Sequence, residues 1–260
     1  MVALIITASI SHKSDEKTVN INANILAFDC AASSCSAAVW RAGSIAAHRF
    51  EAMARGQAEA LVPMIEAVMS EAGADYGDLD VIAVTIGPGA FTRLRIGLAT
   101  ARALGLAAGT PLYGVTTFDA VLAGASQGEN EGQEAPNHNS VLVALETKRA
   151  DIYGQMFSAA ASPVSDPAAI DEDDLPAFAA AAPPPVLVIG DAGARALGVL
   201  LTGGIDAQLS AAPAYADART VARLAAEIWR PGGDQTPLEP LYLRPPDATL
   251  PAKPGRQGAS

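Results

Sequence analysis

The chain has 260 residues, of which 50% are hydrophobic and 17% are charged, enough to form one large domain or two smaller lobes. Its formal net charge is −11 and its pI is about 4.6. This balance argues against direct binding of a nucleic acid by this chain alone, because a phosphate backbone needs a basic surface. Two cysteines, Cys30 and Cys35, are too few for a disulfide framework, which favours a reducing compartment.

The first residues of the chain do not resemble a targeting signal. Residues 1–10 are apolar, but they lack a basic start and are too few to cross a bilayer. We expect residues 1–23 to be a disordered extension, or the product of an upstream start codon chosen in error. No other segment reaches membrane-spanning length without charge or Gly/Pro interruption, so we predict a cytoplasmic protein without membrane contact.

Residues 24–125 have the pattern of a complete α/β lobe. An apolar run ending at Asp29 predicts a buried strand, and two short strands follow it in an antiparallel meander. Two helices and two further strands come next, and Thr116 or Thr117 can cap a last helix that runs to about Ala125. The expected strands cover residues 24–30, 35–40, 44–50, 80–87 and 111–115, and the first two helices cover 57–73 and 92–108.

The remaining chain predicts a second lobe with a weaker version of the same pattern. Residues 126–140 are assigned to a linker or loop, residues 141–244 to the second lobe, and residues 245–260 to a flexible tail. Two such lobes favour the duplicated α/β fold of actins, sugar kinases and Hsp70 ATPases (ASKHA), with mixed sheets flanked by helices. The second lobe is expected to contain a hairpin (141–148 and 151–159), a Pro/Ala/Asp-rich excursion (160–185), a strand (186–190) and a helix (216–230).

A glycine-rich turn, GPGAFT, joins an expected strand to an expected helix. Gly87 and Gly89 permit a tight turn around Pro88, Phe91 follows, and Thr92 is predicted to cap the helix. A helix N-terminus attracts anions, but the lysine of a Walker loop and the third glycine of a Rossmann loop are both missing. A structural turn is therefore the favoured interpretation.

The helix after this turn has two apolar faces instead of one. Leu94, Leu98 and Ala101 lie on the first face, and a second face of mostly small residues lies between the arginine edges. A helix that covers only its own sheet needs a single apolar face, so the second face predicts contact with a partner or with another helical layer. Together with helix 57–73, the candidate interface residues are Leu61, Met64, Ile65, Val68, Ile96, Ala99, Arg102 and Ala103.

The sequence contains no convincing catalytic or metal-binding pattern. The three histidines are scattered without a metal-ligand spacing, so neither a metal nor another cofactor is expected. Asp29, which ends the first strand, is a candidate for nucleotide binding, although the loop after it is not glycine-rich. The acidic run at 171–174 is interpreted as a solvated helix entry.

Several segments resemble the TsaB (YeaZ) family. The similarity covers about residues 24–246, and its most specific part is the Gly-Pro-Gly-Ala-Phe-Thr turn with the Arg-Ile-Gly that follows, at 87–97. The resemblance implies an ASKHA fold and a non-catalytic paralogue of TsaD, the subunit that transfers threonylcarbamoyl to adenosine 37 of certain tRNAs. It also implies association with a TsaD-type subunit through the helices of the first lobe, a TsaE-type ATPase in the same complex, and homodimers that use the same surface.

The chain departs from this family at three places. Many members have glycine where Arg93 stands, histidine where Gln57 stands, and Asp-Ala-Arg at residues 146–148, which here are Glu-Thr-Lys. Arg93 places a cation at a helix start, against the helix dipole. The alternatives to a partner subunit are an ASKHA-fold nucleotide-binding enzyme, a glycoprotease-like hydrolase, or a homodimeric scaffold without a tRNA connection.

Overall fold

The computed structural model describes residues 22–128, 137–233 and 238–244. These residues form two five-stranded mixed sheets, with strand orders β3-β2-β1-β4-β5 and β10-β9-β6-β7-β8. The strands of the first sheet are β1 (Ile25–Asp29), β2 (Ser34–Arg41), β3 (Ser44–Ala52), β4 (Val81–Gly87) and β5 (Leu112–Thr116). The strands of the second are β6 (Ser140–Glu146), β7 (Asp151–Ser158), β8 (Ala168–Asp171), β9 (Val186–Ile189) and β10 (Ala207–Leu209).

The two sheets repeat one topology. In each sheet, the first three strands in chain order form an antiparallel meander. The first strand also pairs in parallel with the fourth. The fourth strand pairs in parallel with the fifth. The described helices occupy matching places in the two halves: α1 (Gln57–Glu71), α2 (Phe91–Ala108) and α3 (Thr117–Gly128) in the first, and α4 (Leu175–Ala179), α5 (Gly193–Thr202) and α6 (Ala218–Ile228) in the second. This repetition confirms the predicted duplicated two-lobe α/β fold.

The central strand β1 is apolar along its length because both faces of the first sheet are covered. Leu26 and Phe28 face α1 and α2, whereas Ile25 and Ala27 face α3 and α6. The core that contains α3 and α6 also includes side chains of the second sheet, such as Val143. Helices α4 and α5 cover the far side of that second sheet. The layers therefore alternate as helices, sheet, helices, sheet and helices.

The structure corrects the expected organisation of the second half. The excursion at 160–185 contains β8 and α4, and the sequence analysis missed α5 and β10 altogether. Helix α6 lies inside the range expected for the second lobe, yet it packs on strands of the first sheet. It does so because it repeats α3, the helix that lies between the two sheets.

The expected linker at 126–140 is shorter than predicted. Helix α3 continues to Gly128, and β6 already begins at Ser140. The expectations for the middle of this linker, for residues 1–21 and for the tail 245–260 concern chain outside the described residues. Within the described part of the chain, no helix is both long enough and apolar enough to cross a membrane.

The start of α6 is held by Asp217, whose carboxylate accepts a hydrogen bond from the backbone amide of Arg219 at 2.8 Å. The imidazole of His48 on β3 lies 2.9 Å from the same carboxylate. Burial alone would raise the pKa of Asp217, but the hydrogen bonds from His48 and Arg219 lower it to about 2. This carboxylate therefore ties the helix of the second half to the first sheet.

Replacing Asp217 with alanine should lower the free energy of unfolding by about 1–2 kcal/mol, because α6 loses its capping acceptor and His48 loses its partner. Urea denaturation at neutral pH measures the change. Asp174→Ala is the matched control, since Asp174 precedes α4 without a side-chain capping bond. Equal effects of the two substitutions would contradict the capping role of Asp217.

Candidate functional site

The GPGAFT turn lies against the loop that joins β1 to β2. The amide of Ala90 donates a hydrogen bond to the carbonyl of Ala31 at 2.9 Å. A Cβ atom at Gly89 would lie 2.6 Å from that carbonyl oxygen, so only glycine allows this approach. Gly87, at the end of β4, has a φ of 109° and precedes Pro88 through a cis peptide bond. The turn thus fixes the starting point of α2 against β1.

The predicted capping role of Thr92 is wrong. Ala90 is the capping residue, in an extended conformation and without a side-chain capping bond, and Thr92 is already inside the helix and exposed. The helix begins at Phe91 because the contact with Ala31 ends the turn one residue earlier than the sequence indicated. By contrast, the expected cap of α3 is confirmed: the hydroxyl of Thr116 accepts a hydrogen bond from the amide of Asp119 at 3.0 Å.

Arg93 bridges three parts of the first lobe. Its guanidinium donates hydrogen bonds to the hydroxyl of Ser33 at 3.3 Å and to the carbonyl of Ala54. Ser33 belongs to the β1–β2 loop, and Ala54 lies between β3 and α1. An arginine at a helix start opposes the helix dipole, but here it joins two loops to α2. This role of Arg93 could not be predicted from the sequence, because Ser33 and Ala54 are distant from it along the chain.

The two faces of α2 have different environments, as the sequence pattern predicted. Leu94, Leu98 and Ala101 are buried against the first sheet. On the other side, Ala99, Ala103 and Leu106 are exposed, and 88% of the surface of Leu106 is accessible. No other described residue covers this second face.

Helix α1 packs into the core of its own lobe with the side that the sequence pattern assigned to a partner. Leu61, Ile65 and Val68 are at most 1% exposed and pack into the core under α1 and α2. They are therefore internal residues, and the prediction that they contact a partner is wrong, because a helix over a sheet turns its most apolar stripe inward. Val62 is 44% exposed and was not among the predicted interface residues.

The remaining predicted interface residues lie at or near the surface. Met64 and Ile96 are half-buried against the core, and Ala99 and Ala103 are exposed. Arg102 is exposed, but its guanidinium donates a hydrogen bond to the carbonyl of Leu238 at 2.7 Å. Their contact with a partner stays a prediction.

The segment 238–244 runs beside the arginine edge of α2. Tyr242 accepts a hydrogen bond from Arg95 at 3.1 Å, and its ring lies 5.3 Å from the ring of Phe91. The amide of Leu241 donates to the carbonyl of Ile86 at 2.7 Å. This segment narrows the exposed surface of α2 to the face that carries Ala99 and Ala103. The sequence pattern assigned this segment to the second lobe and did not predict its contact with α2.

Arg244 extends this segment to the second half of the molecule. Its guanidinium forms an ion pair with the buried carboxylate of Asp151, at the start of β7. Asp151 also accepts a hydrogen bond from the hydroxyl of Thr147 at 2.8 Å. The segment therefore contacts both lobes.

Asp29 lies beneath the surface at the end of β1. It is fully buried, and one carboxylate oxygen accepts hydrogen bonds from the hydroxyl of Thr85 at 2.6 Å and from the amide of Ala31 at 3.2 Å. Burial raises the pKa of this carboxyl to about 6, against the lowering effect of these two bonds. Asp29 therefore supports the β1–β2 loop from within. Because no atom of Asp29 is exposed, the side chain cannot contact a nucleotide directly in this structure.

A cavity of about 500 Å³ lies between the two lobes. The first lobe contributes the β1–β2 loop, the GPGAFT turn and the start of α3, and the second contributes the β6–β7 turn. Four cationic side chains and two carboxylates line it: Arg93, Lys148, Arg149, Arg244, Glu146 and Asp191. Burial raises the pKa of Asp191. This cavity could not be predicted from the sequence, because its walls come from segments far apart in the chain.

Metal and thiol chemistry have no visible basis in the described part of the chain. Those residues contain no group of three His, Cys, Asp or Glu side chains that could hold a metal ion. Cys30 and Cys35 are buried free thiols, and burial raises the pKa of Cys35 to about 12 and that of Cys30 further still. Thiols with such high pKa values are poor nucleophiles.

Comparisons with known proteins agree with this architecture. Residues 50–170 match the family model described as TsaD, tRNA N6-adenosine threonylcarbamoyltransferase. The chain is 32% identical over 230 residues to an uncharacterized protein of Mycobacterium tuberculosis, covering 86% of this chain and 93% of that protein. It is 33% identical over 129 residues to the tRNA threonylcarbamoyladenosine biosynthesis protein TsaB of Escherichia coli. The chain belongs to the TsaB (YeaZ) family.

The similarity to the E. coli TsaB protein covers about half of each protein, 50% of this chain and 52% of that one. The structure of YeaZ from Pseudomonas aeruginosa superposes with a TM-score of 0.68 over 85% of this chain and 100% of that one, at 21% sequence identity. Such a low identity supports the shared fold alone. The TsaB-family fold thus accounts for both sheets and for the helices that surround them.

Replacing Gly89 with alanine should lower the free energy of unfolding by about 1–3 kcal/mol, because the new methyl group would collide with Ala31. Gly198 in α5 is the matched control, since a Cβ atom there would meet nothing within 4 Å. Gly198→Ala should be neutral or stabilise the protein by up to about 1 kcal/mol. Urea denaturation of both variants checks this, and equal stabilities would contradict the close approach.

Asp29 should make stability fall as pH rises through the range between its ordinary pKa of 3.8 and its folded-state pKa of about 6. The folded state holds this proton more tightly than the unfolded state does. Ionisation of Asp29 above this range should therefore lower the free energy of unfolding by about 3 kcal/mol. The side chain in the Asp29→Asn variant can still accept a hydrogen bond from Thr85, but it cannot ionise. The free energy of unfolding of Asp29→Asn should therefore lack this fall with rising pH. Urea denaturation across the range measures both proteins, and parallel profiles would contradict the raised pKa.

Proposed function

We propose that this chain is a partner subunit in the biosynthesis of threonylcarbamoyladenosine at adenosine 37 of tRNA. Two findings support the pathway: the E. coli relative carries that biosynthesis in its name, and a TsaD model matches residues 50–170. A threonylcarbamoyltransferase of Erythrobacter litoralis is also 52% identical to this chain over 69 residues, about a fifth of its own length (20%). In this proposal the chain is non-catalytic and supports a TsaD-type transferase.

The observation that carries the proposed role is the exposed second face of α2. Ala99 and Ala103 lie one helical turn apart on this face, and neither is covered by the described residues. Small side chains let a second helix approach closely, since the distance between packed helices depends on the side chains between them. A large exposed residue, Leu106, adds apolar area that a partner would remove from water.

A TsaD-type transferase is the partner that fits this face. The TsaD model matches the part of the chain that contains α1 and α2. Such a partner would therefore present a similar pair of helices, and two pairs can pack as a bundle. A second copy of this chain could use the same face, so a homodimer and the heterodimer would compete for it. A TsaE-type ATPase completes the proposed assembly.

Ala103→Glu should abolish co-purification with a TsaD-type partner, because a buried unpaired carboxylate would face the partner helix. The monomer should keep its fold, since Ala103 is exposed. Ala194→Glu, at an exposed position of α5 in the other lobe, is the matched control and should bind normally. Size-exclusion chromatography with light scattering would measure both complexes.

Reconstitution of the tRNA modification with and without the chain gives a second readout. The wild-type chain and Ala194→Glu should support modification by the transferase and the ATPase, and Ala103→Glu should not. Undiminished complex formation by Ala103→Glu would overturn the assigned surface. Modification at the same rate without the chain would overturn the proposed function itself.

A further inference from the structure

The outer edge of β3 is the longest open sheet edge among the described residues. β3 has nine residues and ends the first sheet, so no described strand pairs with its outer side. The other edge strands, β5, β8 and β10, have five, four and three residues. Unpaired backbone groups on such an edge are a template for pairing with another strand. β3 also contains no proline, a residue that would block this pairing.

The backbone groups of β3 alternate between those that face β2 and those that face outward. The amide of Met53, just after the strand, donates a hydrogen bond to the carbonyl of Ser33 at 3.0 Å. Because the direction of bonding alternates along an antiparallel pair, the backbone groups of His48, Phe50 and Ala52 face away from β2. Each of these three residues can offer one donor and one acceptor to a further strand.

The second half of β3 is exposed on both faces of the sheet. Residues 49–52 are all exposed, and 41% of the surface of Phe50 is accessible. Helices α1 and α6 flank the sheet, but they pack mainly on β1 and β2. As far as the described residues show, the edge is therefore open to a strand that approaches in the plane of the sheet. Such a strand would cover Phe50 together with the unpaired backbone groups.

The charges of β3 complement each other when two copies of the strand meet antiparallel. In a two-fold symmetric pair, residues directly opposite each other lie on the same face of the sheet. A pair centred on Phe50 places Arg49 of each copy opposite Glu51 of the other. The two adjacent registers instead place Arg49 opposite Arg49, or Glu51 opposite Glu51. Opposite charges stabilise a strand pair and like charges destabilise it, so the register centred on Phe50 is favoured over both.

We propose that β3 pairs antiparallel with β3 of a second copy of this chain, centred on Phe50, so that the first sheets of both copies form one continuous sheet. About six backbone hydrogen bonds would join the two strands, from the outward groups of His48, Phe50 and Ala52. The inference goes beyond the proposed partnership and does not depend on it, because β3 and the second face of α2 are separate surfaces. Each copy could bind a transferase while it is paired through β3.

Analytical ultracentrifugation of the Ala103→Glu variant tests the pairing, because this substitution blocks the second face of α2 as another route to dimers. The variant alone should form dimers at concentrations up to about 100 μM. A monomer throughout this range would overturn the proposal. Neither result bears on complex formation between the wild-type chain and a transferase, which uses the face that the substitution blocks.

Charge exchange on the Ala103→Glu background tests the register. Arg49→Glu and Glu51→Arg should each raise the dimer dissociation constant at least about tenfold, because each places like charges opposite each other. The variant with both substitutions restores opposite charges and should dimerise like the parent. A mixture of the two single variants should also form dimers, since one carries two acidic residues at these positions and the other carries two arginines. Unchanged dimerisation of both single variants, or no dimers in the mixture, would overturn the proposal.

The matched control for Glu51→Arg is Asp173→Arg, which makes the same change of charge at an exposed position in the other half of the molecule. It should dimerise like the parent. Because the chain has a formal net charge of −11, general repulsion would make Glu51→Arg strengthen association, which is the opposite of the expected loss. Thermal unfolding verifies that every variant is folded before the measurement.

Hydrogen exchange distinguishes pairing through β3 from a contact elsewhere. The amides of His48, Phe50 and Ala52 should exchange at least about tenfold more slowly in the Ala103→Glu dimer than in the monomer that also carries Arg49→Glu. A dimer without this slowing would overturn the proposal. Slow exchange of the same amides in a monomer would also overturn it, because another part of the same chain, such as residues 1–21, would then cover the edge.

Discussion

The contact between Gly89 and Ala31 is the constraint on which the rest of the first lobe depends. Two backbone segments approach each other there more closely than any side chain at Gly89 would allow. The contact brings the end of β4 and the loop after β1 together, and the direction of α2 follows from it. One face of α2 is thereby turned to the sheet and the other to the outside, and the start of the same helix forms one end of the cavity.

The two apolar faces of α2 have opposite effects on an isolated chain. A helix with apolar residues on both sides gains core stability from only one of them, and the other increases the exposed apolar surface of an isolated chain. Arg95 and Arg102 separate the two faces and also hold the segment 238–244 in place. The charged edge therefore limits the exposed apolar surface to a narrow area of small residues and Leu106, which suits a reversible contact between helices.

Much of the first lobe could be predicted from the sequence, since its strands and helices are long and strongly patterned. The run that became β1 and the double-faced pattern of α2 are examples. The second half was harder: β8 and β10 have four and three residues, too few to show a period. Helix α5 had a usable signal in the spacing of Ala196 and Leu200, both buried, which the sequence analysis overlooked.

Other features could not be read from the sequence for physical reasons. An apolar stripe such as Leu61, Ile65 and Val68 shows that a helix is covered on that side, but not whether its own sheet or a partner covers it. The same limit hid the position of α6, whose buried face meets the first sheet. Arg93 and the cavity depend on contacts between distant segments, which only the repeated topology brings together.

The link from α2 through Tyr242 to Arg244 and Asp151 has a mechanical consequence. The lobes of a duplicated fold are joined by few covalent connections, so their relative rotation is normally an inexpensive motion. Here such a rotation must either separate Arg244 from the buried Asp151 carboxylate or pull on the edge of α2. A change in the angle between the lobes would therefore change the contacts along the arginine edge of α2.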